Sequence, residues 1–227
     1  MEVKKKKVKG FTLLELLVVI AIIGIISATG APRFNSWQSE RKIKNATLQI
    51  SNVFKTIINY SQSGSFPYTQ ANFVTTDTEI TAVGKGMSQN TFTSAKINSA
   101  TRLACEITYE DAFGTSWDLD GDGNTKELYS FNSKDVALNF IDTFGICFAK
   151  DVSYYGIVSE EGTFEGNTLI VCLRSSDSAK NNDNKCKIEN LDKPAYKLEW
   201  TRFGRVDMYK FISNDGDGTK DNAWKIQ

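Results

Sequence analysis

The chain opens on an almost unbroken apolar run, FTLLELLVVIAIIGIISA, from Phe11 to Ala28. A basic stretch, MEVKKKKVKG, precedes it, and one acid, Glu15, interrupts it. At ~1.5 Å rise per residue the run is just long enough to span a bilayer as a helix. The pattern then becomes amphipathic. Ile43, Ala46, Ile50, Val53, Phe54, Ile57 and Ile58 recur at three- and four-residue spacing, with Glu40, Lys44, Gln49 and Asn52 on the opposite face. Together these halves predict one helix over 11–62, roughly 75 Å long. Its second half needs a partner surface. Ser63-Gly64-Ser65 and Pro67 predict its end. The competing reading is two helices broken near Gly30-Ala31-Pro32, because a proline inside a helix favours at least a kink.

After Pro67 the periodicity weakens. Residues 68–100 are rich in Thr, Ser, Asn and Gln and read as an irregular connection with at most one short element. Short apolar and β-branched runs follow at Ala104–Tyr109, Tyr129–Phe131, Ile146–Ala149, Tyr155–Val158, Thr168–Leu173, Tyr196–Thr201 and Val206–Ile212, separated by turn residues. They predict an antiparallel sheet packed on the amphipathic half of the helix. The expected class is α+β, with a β-rich globular domain over 63–227. About 170 residues beyond the helix suffice for one domain with a proper core.

Glu15 is the informative residue of the first run. An unpaired carboxylate in hydrocarbon costs from ~2.5 kcal/mol upward. A positive charge on a neighbouring copy of the chain is the obvious partner. A secretory signal peptide, with Ala28 and Ala31 imitating a cleavage site, a plain membrane anchor and a buried core helix all compete for the segment. The plain anchor fits the length and the flanking lysines but leaves Glu15 without a role.

Charge narrows the choice of function. The chain has 27 basic and 27 acidic residues and no histidine. Residues 1–10 hold five of the lysines and one glutamate, so their removal leaves 22 basic against 26 acidic residues. That balance argues against a broad nucleic-acid-binding surface. Without histidine there is no Ser-His-Asp or Cys-His pair, and no phosphate-cradling glycine loop appears. The reading is that the chain is not an enzyme.

Two features of the distal part carry candidate chemistry. Asp118, Asp120, Asp122 and Asn124 alternate in a glycine-containing turn with Glu127 nearby. Hard oxygen ligands so spaced suit Ca²⁺, although Tyr129 stands where an EF-hand loop needs a bidentate glutamate. A solvated Asp/Gly hairpin turn is the alternative. Asp215–Asp221 is a weaker candidate of the same kind. Four cysteines, Cys105, Cys147, Cys172 and Cys186, lie beyond the apolar run. An even count in an exported domain suggests two disulfides, with three connectivities open. Cys172–Cys186 is preferred, because it closes a polar loop, and Cys105–Cys147 would then join two strand candidates. Four buried thiols and, less well, a zinc site are the alternatives.

Lys9-Gly10-Phe11-Thr12-Leu13-Leu14-Glu15 resembles the leader junction of type IV pilins and type II secretion pseudopilins. The resemblance covers about 30 residues. It implies a leader over 1–10, cleavage between Gly10 and Phe11 by a prepilin peptidase, and N-methylation of Phe11 by the associated methyltransferase. It implies a transmembrane part over 11–31, and it gives Glu15 the role of pairing with the N-terminal amine of an adjacent subunit during assembly. Gly24 and Pro32 fall where many pilins have a helix-weakening glycine and a kinking proline. The Cys172–Cys186 loop resembles the disulfide-bounded loop of many pilins, and an acidic loop that binds calcium resembles that of some pseudopilins. The expected product is a structural subunit. It waits in the bacterial inner membrane with its globular domain in the periplasm, then joins other subunits in a pilus or pseudopilus. Thr168–Cys172 and Arg202–Val206 resemble segments of tip-complex subunits. The alternative is therefore a tip-located binding module for adhesion or DNA uptake.

Overall fold

Helix α1 runs from Leu13 to Gln62 without a break, so the two-helix alternative does not hold. The computed structural model describes residues 11–90, 93, 125–140, 142–150, 154–157, 167–180, 184–187, 194–201, 204–212 and 224–227; within these, side chains 28–33 of α1 are not described. The chain divides into two units, Met1–Ser39 and Glu40–Gln227.

Among the described side chains of the first unit, α1 buries nothing large. Every bulky apolar side chain from Phe11 to Ile26 is exposed, from 45% at Val19 to 84% at Phe11. Among the described residues no helix is long and apolar enough to cross a membrane. The apolar run of the sequence continues to Ala28, beyond the last described side chain of this stretch, Ser27.

In the second unit α1 has the predicted stripe. Ile43, Ala46, Ile50, Val53, Phe54, Ile57 and Ile58 are all buried. They pack against two antiparallel five-stranded sheets, where one was expected. The first sheet has the order β3-β2-β1-β5-β6, with β1 Tyr68–Thr75, β2 Ile80–Met87, β3 Thr125–Ser133, β5 Asp142–Ala149 and β6 Tyr154–Ile157. The second has the order β10-β9-β8-β7-β4, with β4 Val136–Leu138, β7 Thr168–Leu173, β8 Ala195–Trp200, β9 Val206–Phe211 and β10 Trp224–Ile226. A one-turn helix, α2 Asp177–Lys180, follows β7. Phe54 ties the three layers together. Its ring stacks on Trp200 of β8 at 4.9 Å and meets Phe73 of β1 at 5.5 Å and Phe148 of β5 at 6.5 Å.

The irregular connection expected over 68–100 is wrong for its first twenty residues. They form β1 and β2, paired from Tyr68↔Met87 to Thr75↔Ile80, with β1 at the centre of its sheet. Polar residues hid the strand. Thr69, Gln70 and Asn72 are buried, so β1 shows no apolar/polar alternation. Thr69 instead fastens the helix by donating its hydroxyl to the Ile57 carbonyl at 3.1 Å, and Ser61 of α1 donates to the Phe148 carbonyl at 3.4 Å. In β2 the misleading residues are glycines. A Cβ on Gly84 would lie 2.7 Å from the Ile57 side chain, and one on Gly86 would lie 2.6 Å from the Phe66 ring. These positions let the strand lie close against α1 and Phe66.

The polar face of α1 is only partly exposed. Lys44 and Asn52 are exposed. Gln49 accepts a hydrogen bond from the Tyr129 hydroxyl of β3. Glu40 accepts from Lys210 Nζ of β9 and, at 3.5 Å, from the Tyr196 hydroxyl of β8. Polar residues of one helix face thus reach both sheets. The strand expected at Ala104–Tyr109 lies outside the described residues.

Candidate functional site

The chemistry predicted for the N-terminus concentrates in the first turn of α1. Thr12 stands at the N-cap, and its carbonyl accepts the first helical hydrogen bond, from Leu16 N at 3.2 Å. Its hydroxyl accepts from Glu15 N at 3.2 Å, while Glu15 Oε2 accepts from Thr12 N at 3.4 Å. This is a reciprocal capping box, in which side chains satisfy backbone N–H groups that have no helical partner. A carboxylate in the first turn is also favoured by the helix dipole. The box folds the Glu15 carboxylate back to the backbone of Thr12, the residue next to Phe11. Phe11 itself is 84% exposed, and Gly10 lies outside the described residues. Such a site can pair with an ammonium, its own or a neighbour's. Sequence reasoning singled out Glu15 and passed over Thr12, although Thr-x-x-Glu before an apolar run is the sequence signal of this box.

A second candidate is the disulfide-closed loop. Cys172, in β7, and Cys186 are bonded, with Cα atoms 5.9 Å apart. Both are buried among Ala137, Ile170, Ala179, Ala195 and Phe211. Cys186 N donates to the Leu138 carbonyl at 2.8 Å, which fastens the far end of the loop to β4. From the near end, Arg174 Nη1 donates to the carbonyls of Thr76 and Asp77 at 3.0 and 2.9 Å. The loop thereby holds the β1–β2 turn of the other sheet. Cys147 is buried in β5, and Cys105 lies outside the described residues.

The proposed calcium ligands Asp118, Asp120, Asp122 and Asn124 also lie outside the described residues, as does Asp215–Asp221. Glu127 is exposed on β3, opposite Lys85 of β2. Among the described residues no group of three or more acidic or cysteine side chains is placed to hold a metal.

The third polar cluster is Glu40 with Lys210 and Tyr196. Burial first, then the Glu40 charge and its hydrogen bond, push the Tyr196 phenol up to about 12. The arrangement is a structural clasp between α1 and β8–β9.

Residues 5–31 match the family model of the prokaryotic N-terminal methylation motif. A fimbrial protein of Moraxella nonliquefaciens is 30% identical over 102 residues, 45% of this chain and 65% of the relative. A fimbrial protein of Pseudomonas aeruginosa is 39% identical over 46 residues, 20% of this chain and 30% of the relative. The type IV major pilin protein PilE1 of Neisseria gonorrhoeae is 42% identical over 40 residues, 18% of this chain and 24% of the relative. The chain spans less than two thirds of the length of the relatives it matches. No solved structure matches it. Homology to fimbrial and type IV pilin proteins, together with the N-terminal methylation motif, supports assignment of the chain to the type IV pilin and pseudopilin family.

Proposed function

We propose that the chain is a structural subunit of a type IV pilus or type II secretion pseudopilus. It is held in the bacterial inner membrane by the first part of α1, with its globular unit in the periplasm. A prepilin peptidase cuts after Gly10, Phe11 is N-methylated, and the subunit then joins a helical filament. The observation that carries this reading is the first unit itself. The chain exposes apolar side chains all round from Phe11 to Ile26, and the one carboxylate of that stretch is folded back beside Phe11. Such a surface needs lipid, then the helices of other copies. Heterologous contacts that do not close produce filaments.

Binding of Ca²⁺ by Asp118, Asp120, Asp122, Asn124 and Glu127 belongs to the same proposal; the alternation of oxygen donors in a glycine-containing sequence supports it. Equal melting curves with calcium and with chelator would remove it.

Immunogold labelling of cells with an antibody to residues 40–227 tests the subunit role. Label along filaments means a main subunit, and label confined to their ends means a tip component. Cleaved protein that never leaves the membrane, in cells that assemble filaments, contradicts the proposal.

A further inference from the structure

We infer that Phe34 and Trp37 form an aromatic belt that seats α1 in the outer headgroup layer of the membrane while Phe11 lies at the inner one. The inference rests on the membrane-anchored reading above. The two residues are three apart on α1, hence neighbours on one side of the helix. Their ring centroids are 5.7 Å apart, and 55% of Phe34 and 51% of Trp37 is exposed. They are not core residues of their unit, nor do they extend the hydrocarbon-facing run. The sequence around them, Arg33, Asn35, Ser36, Gln38 and Ser39, is polar. The amphipathic indole of Trp37, with the Phe34 ring against it and polar residues around both, suits the layer where hydrocarbon gives way to headgroups.

The spacing agrees from the other end. From Phe11 to Phe34 is 23 helical steps and to Trp37 is 26, about 35 and about 39 Å at ~1.5 Å each. A bilayer with its headgroups is ~40–45 Å thick. With Phe11 at the inner surface, both rings therefore fall at the outer headgroup region. A seam with a second copy's helix is the competing occupant. It is less well supported, because the positions three, four and seven residues beyond Trp37 are Glu40, Arg41 and Lys44 rather than apolar residues. The belt would act as a depth stop, holding the Gly10–Phe11 bond at the cytoplasmic surface until cleavage.

The test uses the full, uncleaved chain in vesicles of phosphatidylcholine and phosphatidylglycerol. Alkaline extraction first reports whether the chain is anchored. Fluorescence quenching is then compared between lipids brominated near the glycerol end and near the methyl end of the acyl chain. The difference between wild type and Trp37→Phe isolates the Trp37 signal. Retention on extraction, with Trp37 quenched most by the shallow bromines, is the expected result. Retention with Trp37 quenched most by the deep bromines, or by neither, overturns the belt and leaves the anchor standing. Unquenched Trp37 emission that shifts with the protein-to-lipid ratio identifies a second copy's helix and overturns it likewise. Loss of the chain on extraction overturns the anchored reading and the belt with it.

Discussion

Thr12 and Glu15 cap each other: each side chain accepts the backbone N–H of the other at the start of α1. The carboxylate therefore has two separable roles, to accept hydrogen bonds and to carry charge. Glu15→Gln keeps the first and removes the second, since glutamine also serves in a capping box. Thr12→Ala keeps the charge and removes only the hydroxyl that accepts from Glu15 N, at a cost of about 0.5–2 kcal/mol in helix capping. If charge pairing with an amine drives assembly, Glu15→Gln is cleaved and stays in the membrane, whereas Thr12→Ala still enters filaments at a reduced level. Subcellular fractionation of the two variants reads the outcome. Filament incorporation of Glu15→Gln beside wild-type subunits would leave capping as the residue's whole role.

Phe54 is one contact through which both sheets meet the helix, with Trp200 on one side and Phe73 and Phe148 on the other. Phe54→Ala is expected to cost about 3–5 kcal/mol, because a buried aromatic is replaced by a cavity between three elements. Phe54→Leu should recover part of that loss. Urea unfolding of the detergent-solubilised chain, followed by tryptophan fluorescence, measures both. A cost within experimental error for Phe54→Ala would mean that the layers do not close on this ring.

The Cys172–Cys186 bond closes a loop with a sequence separation of 14. Bonds closing loops of that size contribute about 3 kcal/mol in the chain-entropy account. Cys172→Ser/Cys186→Ser should lower the melting temperature and free the β1–β2 turn held by Arg174. Thiol titration of the unfolded, unreduced double variant tests the proposed Cys105–Cys147 pair separately. No free thiol is expected, and two free thiols would refute that pairing.

The Tyr196 phenol makes a pH prediction. Its ordinary value of 10.0 is raised to about 12 in the fold, so the folded state holds this proton more tightly than the unfolded state. Its contribution to stability is whole below about 10 and is lost as the pH rises towards 12. Denaturant midpoints measured across that window should fall more steeply for wild type than for Tyr196→Phe. Parallel curves would mean that the Glu40 clasp does not bind this proton more tightly in the folded state.

The helix was the legible part of the fold. Its stripe from Ile43 to Ile58 is apolar at strict three- and four-residue spacing, and each of its seven residues is buried. Strands β7, β8 and β9 were also visible, because Leu169–Leu173 is a continuous apolar run, Tyr196–Trp200 alternates, and Val206–Phe211 is a short run rich in apolar and aromatic residues. Strands β1 and β2 were not visible, for two physical reasons. Buried Thr69, Gln70 and Asn72 removed the alternation from one, and Gly84 and Gly86 imitate a turn in the other while serving close packing. Strands β4 and β10, at three residues each, are too short to show a period. At the N-terminus Glu15 stood out as an acid in an apolar run, whereas Thr12 looked like an ordinary small polar residue until its hydrogen bond was seen.

The central claim is that α1 is a prepilin-type segment whose mature end is Phe11. Mass spectrometry of the N-terminal peptide, from protein purified out of membranes and filaments, tests it most directly. The account predicts a chain beginning at Phe11 with one methyl group on its amine. A chain beginning after Ala28 or Ala31 would identify an ordinary signal peptide, and would contradict both the anchored helix and the assembly role of Glu15.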